Sequence, residues 1–243
     1  MRLLTALLTL VAASPVAADC RLSLVLALDV SASVDAQEFD LQAKGMARAL
    51  LSPEVAGVIL EDPSRPVALS VFLWSGPGDV SMIADWQQIT APNQLIALAN
   101  RIATHPRKVS FDGRTAIGSA LSQGGFLQST APPCDRRVID IAADGENNAG
   151  PDPEGQRDAL QGITVNALAI TGERPHDQPR NDRPQRSLSG YLRERVIRGP
   201  DAFVETALDY ADFQDAMTRK LLRELRPMML GSAAPESAGA DQR

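Results

Sequence analysis

The stretch Leu24-Val25-Leu26-Ala27-Leu28-Asp29-Val30-Ser31-Ala32-Ser33 decides the fold class of this chain. Its apolar run predicts a buried strand, and the strand ends on the pattern Asp-x-Ser-x-Ser. Ligands of α/β proteins bind in the crevice outside the carboxyl ends of parallel strands, which gives such polar side chains a role. Three oxygens within five residues suit a hard cation such as magnesium, calcium or manganese. From these residues alone, the alternative is that Asp29 and Ser31 cap the following helix.

Two distant segments carry similar chemistry. Residues 111–121 read Phe-Asp-Gly-Arg-Thr-Ala-Ile-Gly-Ser-Ala-Leu, which predicts a loop that presents Thr115 at the start of a helix. Residues 136–145 read Arg-Arg-Val-Ile-Asp-Ile-Ala-Ala-Asp-Gly, which predicts an apolar strand that ends on Asp144 before a glycine turn. All three segments together favour a metal site over simple helix capping.

In order and spacing, the three segments resemble the metal-ion-dependent adhesion site (MIDAS) of von Willebrand factor A (vWA) domains. The resemblance runs from about residue 23 to about residue 225, and within the family the chain looks like a secreted bacterial group catalogued as a domain of unknown function. It implies a divalent cation, magnesium before calcium or manganese, held by Asp29, Ser31, Ser33, Thr115 and Asp144. The third segment departs from the family pattern, because Ala143 stands where a serine or threonine is more common.

Five neighbouring residues are candidates to support these ligands or to line the rim around them. Each of them is also a common turn residue, so a purely structural role in a turn is the alternative for each. They are Asp112, Gly113, Gly145, Asn147 and Asn148.

Alternation of strands and helices predicts a doubly wound, mostly parallel sheet in a three-layer α/β/α fold. Residues 67–74 and 80–89 flank a Ser-Gly-Pro-Gly turn, so the second of these strands is expected to return as an antiparallel edge strand. The resemblance implies that the first strand lies between the second and the fourth. Further strands are predicted at 137–143, 163–170 and 202–206, and helices at 33–51 (closed by Pro53), 92–104, 115–128, 153–161, 188–197 and 210–225.

The N-terminus has a basic start, a short apolar run and small residues, which is typical of a secretory signal peptide at residues 1–18. We therefore expect a periplasmic or secreted domain at 19–230, with no transmembrane segment, and a disordered tail at 231–243. The net charge of −6 makes nucleic acid a poor partner, since no basic patch offsets it. We expect a monomer.

The two cysteines of the chain lie at matched positions. Cys20 precedes Asp29 by nine residues and Cys134 precedes Asp144 by ten. Neighbouring strands lie about 4.8 Å apart, so both thiols would meet at the opposite rim of the sheet. This favours a Cys20–Cys134 disulfide in an oxidising compartment, and two free buried thiols are the alternative.

Hydroxyl ligands carry no charge, so a cation held by them retains affinity for an anionic oxygen. We therefore expect a protein partner that presents Asp or Glu, with specificity from loops 75–78, 112–114, 145–150 and 173–184.

A phosphoryl-transfer enzyme with Asp29 as nucleophile is an alternative. It is disfavoured by Ser31 and by the absence of a lysine between Thr115 and Lys220. A metal-free scaffold is a third possibility.

Overall fold

A computed structural model describes residues 20–107, 113–172 and 187–226. The predicted signal peptide, the tail at 231–243, the loop at 173–184 and Asp112 lie outside the described residues. Strands and helices alternate along the chain as expected for an α/β fold. They are β1 Cys20–Asp29, α1 Ala36–Leu51, α2 Pro53–Ile59, β2 Val67–Trp74, β3 Val80–Ile89, α3 Pro92–Ala103, α4 Ile117–Ser129, β4 Cys134–Ala143, α5 Pro153–Ala159, β5 Thr164–Ile170, α6 Leu188–Arg195, β6 Val204–Ala207 and α7 Phe213–Leu225.

The described strands form a six-stranded sheet in the order β3-β2-β1-β4-β5-β6. Strand β3 runs antiparallel to β2, and every other pair is parallel. The predicted fold class is therefore confirmed, as is the placement of β1 between β2 and β4. The chain changes direction across the sheet at β1 and β4, and their carboxyl ends carry Asp29 and Asp144.

The central strand is buried on both faces because helices cover both sides of the sheet. Leu24, Leu26 and Leu28 of β1 pack with residues of α1, α2, α3 and α7. The alternate residues Val25 and Ala27 pack on the other side with residues of α4 and α6. This two-sided burial explains why β1 is a continuous apolar run rather than an alternating one.

The first helix ends at Leu51, before Pro53, as predicted, but the prediction missed the second helix that begins at Pro53. Pro53 is the first residue of a separate helix, α2, and the hydroxyl of Ser52 accepts a hydrogen bond of 3.3 Å from the Val55 N–H. A proline fits the first position of a helix because a backbone N–H there would have no partner within the helix.

The last helix begins at Phe213, three residues later than predicted, because Asp209 and Asp212 hold a turn before it.

The predicted disulfide is present in the structure. Cys20 and Cys134 are register partners on β1 and β4, with Cα atoms 4.5 Å apart. The disulfide lies at the rim opposite Asp29.

Within the described residues, no helix is both long and apolar enough to cross a membrane.

Candidate metal centre

Asp29 is the last residue of β1, and its side chain is fully buried. Its Oδ1 accepts a hydrogen bond of 2.8 Å from the Ser31 N–H. Its Oδ2 has no hydrogen-bond partner among the residues that the structure describes. The amide of Gln42 on α1 donates to the Asp29 carbonyl at 2.9 Å, which fixes the end of the strand. A buried carboxylate oxygen without a donor is costly unless a cation or a proton satisfies it.

A chain of hydroxyls joins the ends of β1 and β4. The Oγ atoms of Ser31 and Ser33 are 2.9 Å apart, and Ser33 Oγ donates a hydrogen bond of 2.7 Å to Asp144 Oδ1. Ser31 is buried and Ser33 is half-buried, so the chain runs from the core to the rim. The structure thus brings together four of the five residues predicted to hold the metal.

Thr115, the fifth predicted ligand, lies beside the turn that follows Asp144. A Cβ built on Gly145 would lie 3.7 Å from Thr115 Oγ1. The Thr115 N–H donates to Asn148 Oδ1 at 2.9 Å, and the Asn148 N–H donates to the Thr115 carbonyl at 2.9 Å. Asn147 Oδ1 accepts from the Gly118 N–H at 3.2 Å. Asn147 and Asn148 therefore fasten the turn after β4 to the start of α4.

Gly113 allows the loop before Thr115 to approach the Asp-x-Ser-x-Ser segment. Its carbonyl accepts a hydrogen bond of 2.7 Å from the Ala32 N–H. Its φ of +57° is in the left-handed region, and an added Cβ would lie 2.9 Å from Ala32 Cβ. Both constraints favour glycine at this position.

Tyr210 is a member of the site that the sequence analysis missed. It follows β6 in a loop, and its hydroxyl donates a hydrogen bond of 3.0 Å to Asp144 Oδ2. Burial raises the pKa of Tyr210, with a further contribution from the Asp144 carboxylate, so the phenol stays protonated as a donor. The only signal in the sequence was its place just beyond the carboxyl end of a parallel strand.

The electrostatics of the cluster fit a hard cation. Burial, and then the charge of Asp144, raise the pKa of Asp29 to about 7. A positive ion at the unsatisfied Oδ2 would relieve both causes. In the described parts of the chain, no group of three or more His, Cys, Asp or Glu side chains is placed so that it could hold a metal ion. Hydroxyl oxygens are therefore needed to complete a metal site here, and such oxygens suit magnesium, calcium or manganese.

Solved structures with this fold include metal-binding and adhesion proteins. Proximal thread matrix protein 1 from the mussel byssus, with a zinc-occupied MIDAS motif, is 16% identical with a TM-score of 0.62, over 86% of this chain and 48% of that chain. A von Willebrand factor type A protein from Catenulispora acidiphila is 14% identical with a TM-score of 0.57, over 85% and 43%. The pilus adhesin SpaC from Lactobacillus rhamnosus GG, in its open conformation, is 14% identical with a TM-score of 0.58, over 85% and 30%.

The chain spans less than half the length of these three proteins. At such identities the likeness shows the fold, which is that of vWA domains. No curated protein matches the sequence. Residues 19–229 match the family model described as "Protein of unknown function (DUF1194)", and the chain belongs to that family.

Proposed function

We propose that this chain is a protein-binding domain that takes a divalent cation at the cluster of Asp29, Ser31, Ser33, Thr115 and Asp144. The partner would supply an Asp or Glu side chain to that cation. The observation that carries the proposal is the buried Asp29 Oδ2, which has no donor among the described residues and lies in a cluster of hydroxyls and a second carboxylate.

The residues of the cluster have distinct roles in this proposal. Asp29 and Asp144 supply negative charge, whereas the serine and threonine hydroxyls supply neutral oxygens. When bound, the cation offers a Lewis-acid position that accepts an anionic oxygen, and magnesium suits this because it usually keeps water at some positions. Asn147, Asn148 and Tyr210 hold the elements that carry the ligands.

A groove of mixed polarity beside the cluster offers a surface for the rest of the partner. Its apolar lining comes from Leu41 of α1, Ile170 of β5, and Leu208 and Tyr210 of the loop after β6, and its polar lining includes Glu38, Thr171 and Asp209. Leu208 is 73% exposed, which is unusual for a large apolar side chain at a rim. Tyr210 lines the groove, and its hydroxyl donates a hydrogen bond to Asp144, so the groove and the cluster adjoin.

The phosphoryl-transfer alternative has less support. Such chemistry would need a lysine beyond Thr115, and Lys220 is the only one that the chain offers there. Its side chain is fully buried and paired with Asp140 and Glu224 in the core. We therefore propose a binding role rather than catalysis, and a generic phosphate ester assay tests the difference.

Partner capture tests the proposal directly. The exported chain, immobilised and loaded with magnesium, is exposed to an envelope extract of its source organism, and retained proteins are identified by mass spectrometry. We expect chelator to release the partner and Thr115→Ala to weaken its retention. Thr218→Ala is the matched control, because Thr218 Oγ1 donates to the Gln214 carbonyl within α7. Equal retention by all proteins with and without chelator would show that the interaction uses another surface.

A further inference from the structure

A fully buried ionic cluster lies between the sheet and α7 and takes no part in the proposed site. It consists of Asp140 on β4 with Lys220 and Glu224 on α7, and we call it the Lys220 cluster. The side chains of Lys220 and Glu224 are 0% exposed and that of Asp140 is 2% exposed. Lys220 Nζ lies 2.6 Å from Asp140 Oδ1 and 2.6 Å from Glu224 Oε1.

The surroundings of the Lys220 cluster fix the Glu224 carboxylate and exclude water. Asn166 Nδ2 on β5 donates a hydrogen bond of 2.8 Å to Glu224 Oε1, and Asn166 Oδ1 accepts from the Phe203 N–H at 3.1 Å. The ring of Phe203 lies over the amine, with its centroid 5.2 Å from Lys220 Nζ. One face of the cluster is thus aromatic, and the other is closed by the strands.

The Asp140 carboxyl is poorly satisfied for a group at such depth. Asp140 Oδ2 and Glu224 Oε2 have no hydrogen-bond partner within the described ranges. Asp140 Oδ1 is approached by Lys220 Nζ, at 2.6 Å. One amine faces two carboxyl groups, so an ion pair leaves negative charge in a dry core, which is costly.

Burial and the neighbouring charges act differently on the two reacting groups. Burial raises the pKa of Asp140 to about 7. For Lys220, burial opposes the ammonium form, but the carboxylates of Asp140 and Glu224 outweigh it and raise the pKa of the amine. Glu224 therefore has to accept a proton before the amine can act as a nucleophile.

We propose that Lys220 Nζ condenses with the side-chain carboxyl of Asp140 to form an intramolecular amide, with Glu224 as the proton acceptor. The Nζ lone pair attacks Asp140 Cγ, a C–N bond forms, and one C–O bond of the carboxyl breaks. Of the three ammonium protons, one stays on the amide nitrogen and two pass through Glu224 to the departing oxygen, which leaves as water. Glu224 ends as it began, and no atom is oxidised or reduced.

The product suits the site better than the ion pair does. Condensation removes the ammonium and the Asp140 charge from the core, together with one oxygen that lacked a partner. The amide N–H can take over the present donation of Lys220 to Glu224 Oε1. The fold supplies the proximity that makes the step intramolecular, and exclusion of water opposes the reverse hydrolysis. The bond would anchor α7, the helix that follows the Tyr210 loop, to β4.

Mass spectrometry of the purified wild-type protein tests the inference. After reduction of the disulfide, we expect the intact mass to fall by one water below the sequence mass, calculated from the N-terminal residue found in the purified protein. Trypsin does not cleave after an acylated lysine. Because arginines precede and end both segments, digestion of the denatured chain should give a branched peptide that joins residues 138–157 to residues 220–223.

The intact mass alone does not identify the amide, because cyclisation at Asp144-Gly145 would also remove one water. The branched peptide distinguishes the two products. Lys220→Arg keeps the cation but cannot form this amide, and Glu224→Gln removes the proton acceptor, so both should show the full sequence mass. The exposed Lys44–Asp40 pair, at 2.8 Å, is a control within the chain and should be cleaved normally after Lys44. A wild-type protein at full sequence mass, cleaved after Lys220, would overturn the inference whether or not the variants fold.

Discussion

The hydroxyl of Tyr210 donates a hydrogen bond of 3.0 Å to Oδ2 of Asp144, across 66 residues of sequence. The other oxygen of that carboxylate accepts a hydrogen bond of 2.7 Å from Ser33. Asp144 is therefore held from two sides, by the loop after β1 and by the loop after β6. Two such contacts fix the direction of the carboxylate, and we therefore propose that Tyr210 positions Asp144 for the cation.

Removal of the Tyr210 hydroxyl tests this role. We expect Tyr210→Phe to weaken binding of magnesium by about tenfold or more, as is usual when a residue that orients a ligand is lost. The ring stays in place, so the thermal unfolding midpoint should change little. Isothermal titration with magnesium measures the first quantity and calorimetry the second. Thr218→Ala is the control for loss of a hydroxyl away from the cluster, because Thr218 Oγ1 donates to the Gln214 carbonyl within α7.

The Asp29 carboxylate should be indispensable for the metal. We expect Asp29→Asn to abolish binding of a divalent cation, because an amide supplies neither the charge nor the second anionic oxygen. Titration should show one site in the wild-type chain and none in the variant, with the far-ultraviolet circular dichroism spectrum unchanged. Equal binding by both proteins would place the ion elsewhere.

The same residue should give the metal-free domain a distinctive pH dependence. The pKa of Asp29 is about 7 in the folded chain, above the ordinary value of 3.8. Between those values the folded state binds more protons than the unfolded state, so the free energy of unfolding falls as pH rises. In chelator, we expect the wild-type chain to lose stability across that window more steeply than Asp29→Asn. Parallel curves from urea unfolding would show that Asp29 titrates normally.

Gly113 should matter for both the fold and the site. We expect Gly113→Ala to destabilise the domain by about 1–3 kcal/mol, because alanine in the left-handed region is strained and its Cβ would meet Ala32. The shift of the loop should also weaken magnesium binding at Thr115. Gly57→Ala is the matched control, since a Cβ there would meet no atom within 4 Å beyond its chain neighbours and its own helix backbone, and alanine favours the helix by about 0.5–1 kcal/mol. Urea unfolding of both variants measures the contrast.

The Cys20–Cys134 disulfide closes a long loop, with a sequence separation of 114. We expect its reduction to lower the free energy of unfolding by roughly 4–5 kcal/mol in the chain-entropy model, while the metal site at the opposite rim keeps its affinity. Peptide mapping of the exported protein without reductant identifies the bond. Two free thiols in that map would contradict the structure.

The sequence by itself determined the fold class and most of the candidate site. Strands β2 and β3 have the predicted bounds because apolar runs and the turn between them are local signals. The five proposed ligands were identified because each lies in a short motif at a strand end or a helix start. Pro53 shows the limit of local signals, since a proline can begin a helix as well as end one.

Only the tertiary structure decided which distant side chains meet. Tyr210 reaches Asp144 because β6 lies at the edge of the sheet and its following loop turns back over β4, and nothing near Tyr210 in the sequence encodes this. Lys220 and Asp140 lie 80 residues apart, and a charged residue on an amphipathic helix or within a strand ordinarily faces solvent. Their meeting follows from the packing of α7 against the sheet, because only the complete layer of helices removes that face from water.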